Sequence, residues 1–210
     1  MEDVIPDSAE TQDLLRQIRA GDKAAFERLF AEHRPQLRRF VDMRLDPKLR
    51  ARVDASDVVQ ETQMEVLGRL ADYLERQPMP FRLWLRKTAY ERLLKIRRRH
   101  VEAAQRSLER EVPLPDRSSF ALAQQLLASG STPSQHLDKR EIARRVRQAI
   151  AQLAENDRQI VLMRNFEGMS NREVAQVLQI DPATASQRFG RALLRLRKLL
   201  VSSGLMEDES

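Results

Sequence analysis

Residues 170–200 constrain this chain more than any other stretch. Ser170 with Glu173 three positions on is a capping box, which opens a helix. Val174, Val177 and Leu178 give that helix one apolar stripe. Gln179 stands where the turn between two such helices often carries glycine. Asp181 then caps a second helix, with Pro182 at its first position, where a missing N–H costs nothing. Ala185, Phe189, Ala192, Leu193, Leu196 and Leu200 fall on one face of this second helix, and Ala183, Thr184, Gln187, Arg191 and Lys198 on the other. Two helices joined by a turn of a few residues have the spacing of a helix-turn-helix. In that motif the start of the second helix meets base edges, and cations further along meet phosphates. The plainer reading of the same pattern is an amphipathic surface helix with a solvated basic face.

Charge placement weighs between the two. The chain has 210 residues, room for one large or two small domains, and a net charge of +6, which points to a polyanionic partner. Charged residues make up 32% and aromatics 5%, so cores must be built from Leu, Val, Ile and Ala, and glycine is scarce. That composition favours an all-α fold. There is no cysteine, and the three histidines, His33, His100 and His136, are scattered. Disulfides and thiolate metal sites are excluded, and a reducing compartment fits. The start, Met1-Glu2-Asp3-Val4-Ile5-Pro6, lacks the order of a signal peptide, and no apolar run approaches a membrane span. The expected location is cytoplasmic, with no membrane insertion, no metal and no cofactor.

The rest of the chain reads as further helices. Thr11 to Ala20 forms one, closed by Gly21. Asp22 caps the next, with Ala25, Phe26, Leu29 and Phe30 inward. Pro35 is expected to kink or restart it before Leu37 to Leu45, and Asp46-Pro47 ends it. Asp54 and Asp57 open an acidic helix at its positive end. Val59, Val66, Leu67, Leu70 and Leu74 make its inner face, and Asp57, Glu61, Met64, Glu65 and Asp72 the opposite one. An acidic face in a basic chain would repel nucleic acid, so it is either solvated or docks a protein of opposite charge. Its carboxylates at four-residue spacing also suggest a Mg²⁺ site, but no second ligand cluster accompanies them.

Glu75 to Pro80 reads as a loop, followed by a helix from Phe81 to about His100. Phe81, Trp84, Leu85, Ala89 and Ile96 share its inner face, and Arg86, Lys87, Tyr90 and Arg97 oppose them. Arg82, Arg86, Lys87, Arg92, Lys95, Arg97, Arg98 and Arg99 stand against the single acid Glu91, a plausible nucleic-acid surface. Arg92 falls on the apolar side, which snorkelling would explain. Residues 101–131, with Pro113, Pro115, Ser118-Ser119 and Ser129-Gly130-Ser131, read as a linker that carries a short helix around Phe120 to Leu127. Thr132-Pro133-Ser134-Gln135 is a second capping box, opening a helix to about Ala154. Asn156 with Gln159 opens another, ending near Gly168. The C-terminal unit is then a four-helix bundle containing the helix-turn-helix. Glu207-Asp208-Glu209 is an acidic tail.

Three blocks thus follow one another: Asp57-Val58-Val59-Gln60-Glu61; Phe81-Arg82-Leu83-Trp84-Leu85 leading to Arg97-Arg98-Arg99; and the helix-turn-helix ending Arg188-Phe189-Gly190-Arg191-Ala192. In this order, over roughly residues 10 to 200, they resemble bacterial RNA polymerase sigma factors of the extracytoplasmic-function (ECF) type. The resemblance implies two helical domains, 1–100 and 132–204, joined by a linker at 101–131. The first would hold core RNA polymerase with Asp57, Gln60, Glu61 and Glu65. It would bind the promoter minus-ten element through Arg76, Arg82, Arg86, Lys87, Tyr90, Arg97 and Arg98, with a base unstacked from the non-template strand. The second would read the minus-thirty-five element with Ala183, Thr184, Ser186, Gln187, Arg188, Arg191, Arg195 and Lys198. The partners implied are core polymerase and promoter DNA, with an anti-sigma protein as a further candidate. Departures exist: Gln63, placed on the core face of its helix, stands where the family usually has Phe; Glu91 and Lys95 where it often has Asn and Asp; Ser186 where it often has Lys. They imply an unusual promoter.

Two other readings compete. A helix-turn-helix regulator that acts without polymerase would leave the acidic helix unexplained. A metal-dependent nuclease using Asp54, Asp57, Glu61 and Glu65 lacks any supporting histidine, lysine or glycine-loop constellation.

Overall fold

The computed structural model describes residues 4–45, 47–101, 119, 121–123, 126 and 139–205, and no strand occurs among them. The chain divides into two compact units, Met1–Ser107 with Gln176–Gln179, and Leu108–Ala175 with Ile180–Ser210.

In the first unit each early helix starts on a side-chain cap. Ser8 Oγ accepts the Thr11 N–H at 3.1 Å and opens α1, Ala9–Arg19. Gly21 takes φ +98°, a left-handed turn that glycine adopts without strain. Asp22 then accepts from Ala24 and Ala25 at the start of α2, Lys23–Asp42. Pro35 lies inside a continuous α2, so the helix does not restart there. Phe30 on one side of it and Leu37, Phe40 and Val41 on the other are all buried, so continuous packing outweighs the one backbone bond that proline removes. A short turn, α3 (Pro47–Arg50), follows; the stop expected at Asp46 lies outside the described residues. Asp54 accepts from the Ser56 N–H at 2.6 Å and opens α4, Ala55–Gly68.

The helix breaks at Arg69, where φ is −110° and ψ 6°, and α5 (Leu70–Arg76) follows. This break revises the expected inner face. Val58, Val59, Thr62, Val66 and Leu70 are buried, whereas Leu67 is 48% exposed and Leu74 is half-buried. Thr62 is tolerated inside because its hydroxyl donates to the Val58 carbonyl at 2.7 Å. Gln77, at φ +37°, ends α5, and α6 runs from Phe81 to Val101.

Helices α2, α4 and α6 pack pairwise, and α1 lies on α2. Phe30, Phe40, Phe81, Leu29, Leu37, Leu83 and Leu85 are fully buried at their junction. Each such side chain contributes roughly 1.5–3 kcal/mol of burial. Trp84 is core, as expected, 4% exposed and stacked on Tyr73 with centroids 4.2 Å apart. The Tyr73 hydroxyl donates to the Met79 carbonyl at 3.0 Å, which ties the 77–80 loop to the core. Burial pushes its pKa well above the usual tyrosine value.

In the second unit Ser119, Ala121–Ala123 and Leu126 are helical; the rest of the expected linker and the Thr132–Gln135 capping box lie outside the described residues. The elements are α7 (Lys139–Gln152), α8 (Glu155–Val161), a π-helical turn (Leu162–Phe166), α9 (Asn171–Leu178) and α10 (Pro182–Ser202). Helix α8 begins one residue before the expected Asn156 cap. Ala154 occupies the cap position, and the Glu155 side chain organises the first turn, accepting from Gln159 at 2.7 Å and from Arg158. Gly168, at φ +64°, closes the π turn near the expected end. Helix α10 packs on both α7 and α8, and buries Ala185, Ala192, Leu196 and Leu200.

Candidate functional site

The helix-turn-helix is held by the chemistry its sequence promised. The Glu173 N–H donates to Ser170 Oγ at 3.2 Å, and the Ser170 N–H donates to Glu173 Oε2 at 2.9 Å. Both residues are buried, so the box satisfies donors that water cannot reach. Gln179 takes φ +55° in the turn, where the sequence pattern would place glycine. The Ile180 N–H closes that turn on the Ala175 carbonyl at 3.0 Å. Asp181 opens α10: one carboxylate oxygen accepts the Thr184 N–H at 2.8 Å, the other the Thr184 hydroxyl. These two bonds, the hydroxyl first, hold the Asp181 pKa below the usual carboxylate range. Asn171, at the start of α9, donates through Nδ2 to the Pro182 carbonyl at 2.7 Å and so links the two helices of the motif.

The outward face of α10 carries Ala183, Ser186, Gln187, Arg191, Arg195 and Lys198, all exposed, with Thr184 and Arg188 half-exposed. Every residue expected to face the minus-thirty-five element is therefore at the surface. They differ in how far they are free to reach. The Thr184 hydroxyl is committed to Asp181, and Arg195 is ion-paired with the buried Asp157 of α8. The sequence offered no sign of this last pair, whose members are 38 residues apart.

In the first unit the acidic face of α4 is real but partly engaged. Asp57, Gln60 and Glu61 are exposed, beside Met64 at 68% and Leu67 at 48% exposure. Glu61 pairs with Arg92 of α6 at 2.7 Å. The Glu65 side chain, 20% exposed, lies within 3.5–3.9 Å of Arg69, Lys95 and Arg92. Arg92 is thus not snorkelling past the core; it bridges two helices. Glu91 is shared in the same way between Arg69 at 3.6 Å and Lys87 at 3.9 Å. Gln63 is likewise not a core residue. It is half-buried and donates to Glu27 of α2 at 3.1 Å.

The expected minus-ten residues do not form one free cationic strip. Arg82 donates to the Ile5 carbonyl at 2.7 Å, Arg86 to the Arg82 carbonyl at 3.2 Å, and Arg97 to the Arg44 carbonyl at 3.3 Å. Arg76 pairs with Asp72 at 3.0 Å. Lys87 and Tyr90 are half-buried, and Arg98 is exposed. Sequence reasoning missed the group that organises the start of α6. The Asp7 carboxylate accepts the N–H groups of Phe81 at 2.6 Å and Arg82 at 3.3 Å. Close by, His33 Nε2 lies 3.2 Å from Thr11 Oγ1, and its ring sits 5.4 Å from that of Phe81. Burial, opposed by Asp7, lowers the His33 pKa below its ordinary value.

Among the described residues no three or more His, Cys, Asp or Glu side chains gather as metal ligands. Asp54 serves as the α4 cap, while Glu61 and Glu65 are paired with cations, so the four carboxylates named for a nuclease do not converge. No helix among the described residues is long and apolar enough to cross a membrane.

Comparison with known proteins agrees with this geometry. The family model "Sigma-70, region 4" matches residues 143–196, from α7 into the latter half of α10. The RNA polymerase sigma-H factor of Pseudomonas aeruginosa is 28% identical, over 90% of this chain and 93% of its own length. The ECF RNA polymerase sigma factor SigM of Mycobacterium tuberculosis is 26% identical, over 90% and 83%. The fold matches a solved structure of CnrH in complex with the cytosolic domain of CnrY with a TM-score of 0.59 at 23% identity, covering 92% of this chain and 98% of that one. A capped helix-turn-helix matching sigma-70 region 4, an acidic helix packed on a basic one, and similarity along nine-tenths of the chain to bacterial ECF-type sigma factors support a sigma factor that directs RNA polymerase in transcription initiation.

Proposed function

We propose that the two units divide the work of initiation. Residues 1–100 bind core polymerase through Asp57, Gln60, Glu61 and Glu65 on α4. The same domain engages the minus-ten element through Arg76 beside the 77–80 loop and through Arg82, Arg86, Lys87, Tyr90, Arg97 and Arg98 on α6. Residues 132–204 read the minus-thirty-five element with the outward face of α10, and residues 101–131 span the distance between the two. One observation carries the docking assignment. In a chain of net charge +6, α4 presents Asp57, Gln60 and Glu61 outward beside the exposed side chains of Met64 and Leu67. Exposed acid next to exposed apolar surface suits a basic protein partner and repels DNA. The protein acts in the cytoplasm and contributes binding energy rather than catalysis, so no metal or cofactor enters. An anti-sigma protein is a second partner class; CnrH, similar in fold, was solved with another protein bound.

The test is co-elution with bacterial core polymerase in gel filtration, followed by run-off transcription from a randomised promoter library. Initiation that depends on this chain supports the reading. DNA binding without co-elution would favour a regulator that works apart from polymerase.

A further inference from the structure

Thr184 sits three positions into α10, in the part of a recognition helix that faces base edges. On a helical wheel it lies between Arg191 and Arg195, the middle of the outward face, and its side chain is partly exposed. A threonine hydroxyl ordinarily rotates, donating to one base and accepting from another, and so discriminates poorly. Here it cannot. The second carboxylate oxygen of Asp181 receives it, and an ionised carboxylate is acceptor-only, so the hydroxyl proton must point at Asp181. The first oxygen of the same carboxylate holds the Thr184 backbone N–H at 2.8 Å, which fixes the pair rigidly to the helix start.

We infer that the Asp181–Thr184 pair is a specificity device that presents Thr184 Oγ1 to DNA as an acceptor only. What remains toward the groove is two lone pairs and a methyl group. In the major groove the amino bases offer donors, N4–H₂ of cytosine and N6–H₂ of adenine, whereas guanine O6 and thymine O4 are acceptors. The device therefore selects an amino base, A or C, over a keto base, G or T, at one position of the contacted strand. The inference rests on the reading of α10 as the minus-thirty-five-reading helix.

The test is transcription by holoenzyme, the full chain with bacterial core polymerase, from a library randomised across the minus-thirty-five region. Thr184→Val keeps the shape and removes the hydroxyl; Thr184→Ser keeps the hydroxyl; Asp181→Asn keeps an oxygen for the backbone cap but can donate to Oγ1, which releases the hydroxyl proton. Wild type is expected to prefer A or C at one position by roughly threefold to tenfold, the effect of a single hydrogen bond. Thr184→Val should lose that preference, Thr184→Ser should keep it, and Asp181→Asn should shift the same position toward G or T. A uniform fall in output for Thr184→Val, with unchanged base preferences, would overturn the inference, as would an Asp181→Asn profile identical to wild type. Gln187→Ala in the same library separates the two failures. If it alters a position while Thr184→Val alters none, only the acceptor device is wrong; if neither alters any, α10 does not read DNA. Thermal melts of each variant, followed by circular dichroism, establish that the helices are retained.

Discussion

The carboxylate of Asp7 caps the helix that starts at Phe81, accepting its backbone N–H at 2.6 Å across 74 residues of sequence. Helix α6, like any helix, opens with N–H groups that have no partner within the helix, and Asp7 supplies one from far along the chain. Replacing an aspartate cap by alanine costs about 1 kcal/mol. Asp7→Ala should therefore lower the urea midpoint of the first unit, while Asp7→Ser should recover most of the loss. Trp84, the only tryptophan and buried beside the capped turn, is the fluorescent reporter. An unchanged midpoint for Asp7→Ala would show that the contact contributes nothing.

The same corner predicts a pH dependence. The half-buried His33 ring lies within hydrogen-bond distance of the Thr11 hydroxyl, which accepts from Ser8, and it faces Asp7, Arg82 and Arg86. Its folded pKa lies below the unfolded value of about 6.5, so the unfolded chain binds the proton first. Stability from this site is complete above pH 6.5 and is lost as the pH falls toward the folded pKa. Glu32, whose pKa is raised first by burial, works in the opposite sense. Between pH 8 and 5.5 the wild type should lose more stability than His33→Gln. Parallel curves for the two proteins would exclude His33 as the source.

What was legible in the sequence was local. Ser170 with Glu173, Asp22, Asp54, and Asp181 with Pro182 each act within four residues, and each helix start they imply is where the structure has it. Burial at Trp84 and along α10 was legible for a related reason, because apolar spacing at one helical period leaves a helix little choice of inner face. The failures needed information from elsewhere in the chain. Pro35 reads as a break until the packing of Phe30 and Phe40 is known. Arg92 reads as misplaced until Glu61 is set opposite it. Asp7 and His33 carry no periodic signal, and Arg195 looks free until Asp157 is brought to it by the packing of α8 on α10.

The ion pairs between α4 and α6 sharpen the docking prediction. Glu61 already has Arg92, so a polymerase docked on this face would share or displace that partner, whereas Asp57 lies exposed one turn earlier. Asp57→Ala with Glu61→Ala should slow association with core polymerase and flatten its salt dependence, since exposed interfacial charges act mainly on the encounter rate. Surface ion pairs are individually weak, so helicity by circular dichroism should be retained. Equal association rates for wild type and double mutant at low salt would remove α4 from the interface.

Gln179 gives a prediction with the opposite sign. A non-glycine residue at φ +55° pays a steric cost that glycine does not. The residue is exposed, so its side chain contributes little packing. Gln179→Gly should raise the stability of the helix-turn-helix by up to about 1 kcal/mol, the net of relieved strain and added unfolded-state freedom. Calorimetry would register this as a rise of a few degrees in Tm. A fall would mean that the Gln179 side chain makes a contact worth more than the strain.

On α10, base contacts and phosphate contacts should separate by position. Gln187 and Arg188 lie in the second turn, where a recognition helix meets base edges, and Lys198 lies three turns further along the same outward side. A side chain that reads a base discriminates by about 1–3 kcal/mol per bidentate pair, so its loss relaxes preference at one position. A cation on a phosphate carries no sequence information; its loss lowers affinity on every sequence and flattens the salt slope by about one unit. Gln187→Ala and Arg188→Ala are therefore expected to change the preferred minus-thirty-five sequence in holoenzyme transcription from a randomised library, and Lys198→Ala to reduce output evenly. Arg195→Ala should fall between them, because its guanidinium is held by Asp157 and its removal also strips a buried carboxylate of its partner. Its thermal melt should drop along with its transcription, whereas that of Lys198→Ala should not. The reverse assignment, with Lys198 setting sequence preference and Gln187 acting evenly, would place the groove at the far end of the helix and remove the Asp181 end from the DNA.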